Sequence, residues 1–189
     1  MAPKSKMTLV DRIRLAQDFF RFSYQIGTPI SYGSYPAKLD TIAVVIFGEH
    51  HLTREELNIS EDTFGLCGTL LERLAYRLLA IELDSALQAK FGDWNTRRHH
   101  CDKFIRDACV VIHLLRNAVA HDVLEPKWNI HDPALRDEEF EIPGILKFKT
   151  KDANGNVLDG QLVKRSHFGG PIAIFRLSEL LRPYLIDAA

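Results

Sequence analysis

The sequence lacks the features that several large classes of protein require. It has no excess of one charge, since 24 Lys and Arg stand against 25 Asp and Glu, for a net charge of −1 with neutral His. This balance excludes a strongly basic protein that binds nucleic acid by neutralising many phosphates, so any nucleic acid must bind at a local patch. The longest apolar run, Ile42 to Phe47, is far shorter than the roughly 18 residues that span a bilayer.

Cysteine is scarce as well. Cys67, Cys101 and Cys109 are an odd number with no Cys-x-x-Cys pair, which favours reduced thiols over a disulfide framework. The N-terminal segment Met-Ala-Pro-Lys-Ser-Lys is soon followed by Asp11, Arg12 and Arg14, which leaves no apolar stretch of the signal-peptide kind. We therefore expect a soluble, cytoplasmic protein with no membrane partner.

Several signature motifs are also missing. There is no Gly-x-Gly-x-x-Gly, Walker-type loop, Gly-x-Ser-x-Gly elbow or His-Glu-x-x-His, which disfavours nucleotide cofactors, acyl transfer and zinc proteolysis. The residues of the right type for zinc ligands are His99, His100, Cys101 and His113, or His50 with His51. Adjacent ligands rarely converge on one tetrahedral ion, so we expect no metal and no cofactor.

The residues that are present suit one folded domain of 189 residues, with 46% hydrophobic and 26% charged side chains. Apolar spacing near 3.6 residues predicts four helices. They are Thr8 to Ile26, a long helix from a cap at Ser60 to about Lys90 with a stop at Gly92, Cys101 to His121, and Leu177 to Leu185. Residues 27–36 are predicted to form a loop, and Leu39 to Phe47 fits either a strand or a short helix.

The pattern changes after Phe140. Apolar residues alternate with lysines over residues 146–151, and turn-forming residues 152–156 precede Val157 to Val163, which predicts a β-hairpin. The predicted fold class is mainly α with a small C-terminal β-hairpin. We expect a single domain over residues 1–189, with a helical core at about 8–125 and a β-containing appendage at about 140–189.

The third predicted helix has two distinct faces when residues 104–122 are placed on a helical wheel. One face is apolar, and the other collects Arg106, His113, Arg116, Asn117 and His121. A polar helical face is most often simply solvated. Here guanidinium, amide and imidazole groups occur together, and these suit phosphate binding and proton transfer.

The segment Arg116-Asn117-Ala118-Val119-Ala120-His121 resembles the motif of the HEPN superfamily (higher eukaryotes and prokaryotes nucleotide-binding), in which four to six residues separate Arg from His. The motif ends a long apolar helix, Val110 to His121, as it does in that family. The resemblance covers about residues 60–125 and implies an up-and-down helical bundle.

The resemblance implies a metal-independent endoribonuclease that cuts RNA by attack of the ribose 2′-OH on the adjacent phosphate. In that role His121 is the general base or acid, Arg116 holds the phosphate and Asn117 orients the site. Family members dimerise around a composite cleft, so the implied partners are RNA, a second copy of the chain and an antitoxin or regulatory protein, as for a toxin or defence effector. The alternative is a catalytically inactive HEPN-like regulatory or protein-interaction module.

A basic stretch precedes the motif helix. Arg97, Arg98, Lys103, Arg106 and His113 are candidate RNA-binding residues because cations bind phosphates without reading sequence. The alternative is a solvated loop and helix start, where cations are electrostatically unfavourable and need compensation. On the preceding helix, Glu72 and Glu82 could orient the histidine or pair with Arg116, or could be surface or otherwise paired residues.

Overall fold

The computed structural model describes residues 7–31, 44–47, 50–53, 61–122 and 124–186, and most of these residues are helical. Within them the α-helices are α1 (Leu9–Ser31), α2 (Glu61–Phe91), α3 (Trp94–Arg98), α4 (Lys103–His121) and α5 (Gly170–Ile186). The strands are β1 (Val44–Phe47), β2 (His50–Thr53), β3 (Glu139–Ile142) and β4 (Leu146–Lys149). The predicted fold class, mainly helical with a small C-terminal hairpin, is confirmed.

The chain divides into two compact units, and the division falls within α1 and α2. The larger unit comprises Met1–Phe20 and Leu74–Ala189, and the smaller comprises Arg21–Arg73. The residues expected to form a C-terminal appendage belong to the larger unit, together with α4. In the described part of the chain, every helix is too short or too polar to cross a membrane.

The core of the larger unit is built around α4. Its predicted apolar face is buried: Ala108, Val111, Ile112 and Leu115 are all 0% exposed. Helix α5 adds a second buried row, and its Phe175 ring stacks on Phe20 of α1 with centroids 4.9 Å apart. This helix begins at Gly170, seven residues before the predicted start at Leu177.

The C-terminal hairpin pairs differently from the prediction. Strand β4 was predicted, but its partner is the preceding strand β3, with Phe140 opposite Phe148. The predicted partner segment contributes an isolated bridge, Lys151 to Val157, beyond the strand. Strands β3 and β4 both alternate buried and exposed residues, and only the three residues 143–145 separate them, so the two strands pair across a tight turn.

The smaller unit corrects the predicted loop after Ile26. Helix α1 continues to Ser31 and includes Pro29. Packing explains the extension, because a Cβ atom added to Gly68 of α2 would lie 2.7 Å from the Gly27 carbonyl oxygen, so the backbones approach closely. The Thr28 hydroxyl also donates to Glu72 Oε1 at 2.7 Å.

Strands β1 and β2 form an antiparallel pair, with Val44 opposite Thr53. The segment Leu39 to Phe47, for which the sequence allowed either a strand or a short helix, is a strand over its last four residues. Residues 39–43 and the predicted cap at Ser60 lie outside the described residues. The predicted stop after α2 is confirmed, because Gly92 follows the helix with φ +90°, a conformation that glycine adopts most easily.

Candidate functional site

The candidate site lies on the polar face of α4. The helix starts at Lys103 because the Asp102 carboxylate accepts hydrogen bonds from the backbone N–H groups of Phe104 (2.8 Å) and Ile105 (3.2 Å). His113 and Asn117 are four residues apart, so their side chains meet on one face of the helix. The distance from Asn117 Nδ2 to His113 Nε2 is 3.0 Å.

Asn117 bridges His113 and Arg116. Its amide nitrogen contacts His113, while its Oδ1 atom accepts a hydrogen bond from Arg116 Nη1 at 3.0 Å. With Nε2 of His113 accepting, the ring hydrogen belongs on Nδ1, where it can be donated to Asp84 Oδ1 at 3.3 Å. The chain of contacts therefore runs from Asp84 through the imidazole and the amide to the guanidinium.

Asp84 of α2 is the central acidic group, and no motif in the sequence indicated it. The residue is 6% exposed, and its Oδ1 accepts from Arg97 Nη1 at 2.8 Å. Its Oδ2 lies 3.9 Å from Arg116 Nε. Burial acts to raise the pKa of this carboxyl, but hydrogen bonds from His113 and Arg97 outweigh burial and lower the pKa below its usual value. Asp84 is thus an ionised anchor for the whole network.

The indole of Trp94 fixes one face of the His113 ring. The two rings stack with centroids 4.1 Å apart and planes inclined by 18°. Trp94 begins the short helix α3, whose N-cap Asp93 accepts from the Thr96 backbone N–H at 2.9 Å. This helix was not predicted, because five residues are too few to display a helical period.

The predicted catalytic residues differ in how firmly they are positioned. The Arg116 side chain is 44% exposed although it contacts both Asn117 and Asp84. His121 is the last residue of α4 and is exposed. Arg116 and Asn117 therefore hold each other in place. His121, the predicted base or acid, lies one helical turn beyond Asn117.

The predicted RNA-binding cations are compensated by carboxylates. Arg97 is 1% exposed and pairs with Asp84, so it lies in the core and is not a surface contact. Lys103 and Arg106 both pair with Asp107, which is itself buried. This is the compensation that cations near a helix N-terminus require.

Arg98 is compensated in the same way, by an ion pair with Asp132. The remaining predicted RNA-binding residue, His113, is held in the network described above. Lys103 and Arg106 stay accessible, with side chains 64% and 40% exposed.

The other residues considered from the sequence have structural contacts. Glu72 is 8% exposed and accepts from Thr28, while Glu82 pairs with Arg12 at 2.8 Å. Cys109 is fully buried, and burial raises the pKa of its thiol to about 12, which disfavours the thiolate that a nucleophile needs. Among the described residues, no three His, Cys, Asp or Glu side chains cluster to hold a metal ion.

An open cleft of about 250 Å³ adjoins the network. Its lining includes Trp94, His113 and Asn117, and the loop that follows Trp128 forms another part of the wall. The polar face of α4 thus combines a positioned guanidinium, an exposed imidazole at the helix end and a cleft with an aromatic wall.

No protein family, curated protein or solved structure matches this chain.

Proposed function

We propose that this protein is a metal-independent endoribonuclease of the HEPN type. The observation that carries the proposal is the state of Arg116, whose guanidinium is held by Asn117 Oδ1 at 3.0 Å and yet remains 44% exposed. A guanidinium that is positioned before substrate binds can stabilise charge on a phosphate without reorganising. The exposed His121 at the end of the same helix supplies a group for proton transfer.

The proposed cleavage needs two proton-transfer groups and one cation that stabilises charge on the phosphate. A histidine removes the proton of the ribose 2′-OH, the 2′-oxygen attacks phosphorus, and the bond from phosphorus to the 5′-oxygen breaks. A second proton donor returns a proton to the leaving 5′-oxygen, while Arg116 stabilises the negative charge that develops on the phosphate oxygens. The products are a 2′,3′-cyclic phosphate and a 5′-hydroxyl end.

A homodimer would supply both proton-transfer groups, one His121 from each copy, in a composite cleft. It would also concentrate positive charge locally, which the nearly neutral composition otherwise does not provide. Such an enzyme fits a toxin or defence effector, held inactive by an antitoxin or other regulatory protein that covers the polar face of α4.

One observation favours the alternative of an inactive regulatory or interaction module. The basic residues Arg97, Arg98, Lys103 and Arg106 all pair with carboxylates of the same chain. RNA phosphates would have to compete with those carboxylates, which weakens electrostatic binding. A module that binds a protein through α4 has no such requirement.

The two candidates separate in one experiment, in which structured and single-stranded RNAs are incubated with purified protein in EDTA. Wild type is expected to leave cyclic phosphate ends, and Arg116→Ala and His121→Ala are expected to lose cleavage by at least about 100-fold. Matched controls are Arg176→Ala, an arginine in an exposed ion pair, and His99→Ala, an exposed histidine. Absence of cleavage by wild type, or equal cleavage by the folded Arg116 and His121 variants, favours the inactive module.

A further inference from the structure

The cleft beside the network has the chemistry of a small planar ligand site. Its volume is about 250 Å³, and it is open to solvent on one side. The polar and aromatic members of its lining are Trp94, His113, Asn117, Asn129, His131 and Asp132. Aliphatic side chains complete the surface, so a ligand would meet an aromatic and apolar wall together with amide groups.

The aromatic wall of the cleft is rigid. His113 is held at both ring nitrogens, by Asp84 at 3.3 Å and by Asn117 at 3.0 Å, and Trp94 stacks on it. An aromatic ring fixed in this way can stack against a ligand at little cost in conformational entropy.

The loop after Trp128, which also lines the cleft, is fixed by hydrogen bonds as well. The backbone N–H of Ile130 donates to Asp159 Oδ1 at 2.7 Å, and that of Trp128 donates to the Gln161 carbonyl oxygen at 2.9 Å. Farther along the loop, Asp132 is held by its ion pair with Arg98. The cleft is therefore formed before any ligand binds.

The lining selects a neutral ligand over a phosphate. Of the residues that the structure describes around the cleft, none is a lysine or an arginine, and the carboxylate of Asp132 is already paired. The amide of Asn129 offers one donor group and one acceptor, which matches the hydrogen-bonding edge of a nucleobase. Proteins that bind single-stranded nucleic acid commonly stack bases on aromatic side chains and contact the phosphates with separate cationic groups.

We propose that this cleft binds one nucleobase of single-stranded RNA, next to the phosphate that Arg116 holds. This inference rests on the proposed ribonuclease activity. Asn117 connects the two positions, because its Oδ1 contacts Arg116 while the residue itself lines the cleft. The base in the cleft would then determine which nucleotide lies beside the cleaved bond.

Tryptophan fluorescence gives a direct test, because the chain has two tryptophans and Trp128 is 1% exposed. Quenching by a ligand in the cleft therefore reports on Trp94. The four nucleoside 5′-monophosphates are titrated into the full-length protein, with ribose 5-phosphate as the ligand that carries the phosphate but no base. We expect saturable quenching by at least one nucleotide and none by ribose 5-phosphate.

Two asparagine variants locate the binding. Asn129→Ala is expected to weaken nucleotide binding about fivefold, as for the loss of one hydrogen bond. The matched control Asn95→Ala, an exposed residue of α3, is expected to bind as wild type. RNA cleavage by wild type is measured in parallel, and its site preference should follow the base that quenches best.

Failure of the nucleobase cleft and failure of the ribonuclease proposal give different results. If no nucleotide quenches saturably, or ribose 5-phosphate quenches equally, or Asn129→Ala binds as tightly as wild type, the nucleobase cleft is refuted even when RNA is cleaved. If nucleotides bind as expected but RNA is not cleaved, the ribonuclease proposal is refuted, and with it the placement of the base beside a cleaved bond.

Discussion

The Nδ1 atom of His113 lies 3.3 Å from Oδ1 of Asp84, so a buried carboxylate of α2 orients an imidazole on the polar face of α4. The same carboxylate pairs with the buried Arg97 and lies 3.9 Å from Arg116 Nε. One anion therefore neutralises a core arginine and also positions the candidate site. Folding stability and the geometry of the site are coupled through Asp84.

Asp84→Asn should destabilise the protein by about 3 kcal/mol. The amide keeps the size of the side chain but removes the charge, leaving Arg97 buried without a counter-ion, and the loss of one partner from a buried ion pair is strongly destabilising. Urea unfolding followed by circular dichroism at neutral pH measures the change in free energy.

Glu179→Gln is the control for Asp84→Asn. Glu179 pairs with Arg176 on the surface of α5, where the two side chains are 37% and 64% exposed. An exposed pair of this kind contributes about 1 kcal/mol or less. If both substitutions shift the unfolding midpoint equally, the Asp84–Arg97 pair does not have the structural role described above.

Asn117→Ala should reduce RNA cleavage about 100-fold with little loss of stability. The residue is half-buried, and its truncation removes its hydrogen bonds to Arg116 and His113, so the guanidinium loses the amide that holds it where a phosphate would bind. Single-turnover cleavage rates and urea unfolding are compared with wild type.

A double-mutant cycle with Arg116→Ala tests the reason for that loss. The role proposed for Asn117 is to hold Arg116, so we expect the double variant to be no slower than Arg116→Ala alone. Losses that multiply in the double variant would show that the two residues act independently, contrary to the bridge described here.

The sequence predicted α4 and its two faces well, because a 19-residue helix displays its period clearly. It did not reveal that His113 contacts Asp84, because Asp84 precedes His113 by 29 residues and lies on another helix. A helical wheel shows which side chains share a face but not which residue of a different helix meets them. Glu72 and Glu82 on the same helix were considered and proved to pair elsewhere.

Local sequence patterns predicted the end of α1 wrongly, because tertiary contacts determine where this helix ends. Gly27 and Pro29 normally mark a loop, yet α1 continues through both of them. The close approach of Gly27 to Gly68 and the hydrogen bond from Thr28 to Glu72 stabilise the extension. Both contacts join segments about 40 residues apart, which a local pattern cannot report.

Gly68→Ala should destabilise the smaller unit by about 2 kcal/mol. The new Cβ atom would lie 2.7 Å from the Gly27 carbonyl oxygen and 2.8 Å from Ile30 Cγ2, so the two helices must separate. Gly65→Ala is the matched control, because its Cβ meets nothing within 4 Å and alanine favours a helix by about 1 kcal/mol over glycine. The midpoint temperature of thermal unfolding should fall for Gly68→Ala and rise for Gly65→Ala. A stabilising Gly68→Ala would disprove the close helix contact.

Stability should also fall in mild acid through His167. Its Nδ1 atom accepts a hydrogen bond from Trp128 Nε1 at 2.8 Å, and protonation would remove that acceptor. Burial, together with the nearby positive charge of Lys164, lowers the pKa of His167 below its usual value of 6.5. Above pH 6.5 the ring is neutral in both the folded and unfolded states, so the full stability is present. As the pH falls below 6.5 the unfolded state binds the proton first, and the free energy of unfolding decreases until the folded-state pKa is passed.

His167→Gln should abolish this pH-dependent loss of stability. His131 is the matched control, because its side chain is 81% exposed, and His131→Gln should retain the loss. Urea unfolding between about pH 7.5 and about pH 5 measures the slopes, and parallel profiles for wild type and His167→Gln would contradict the assignment.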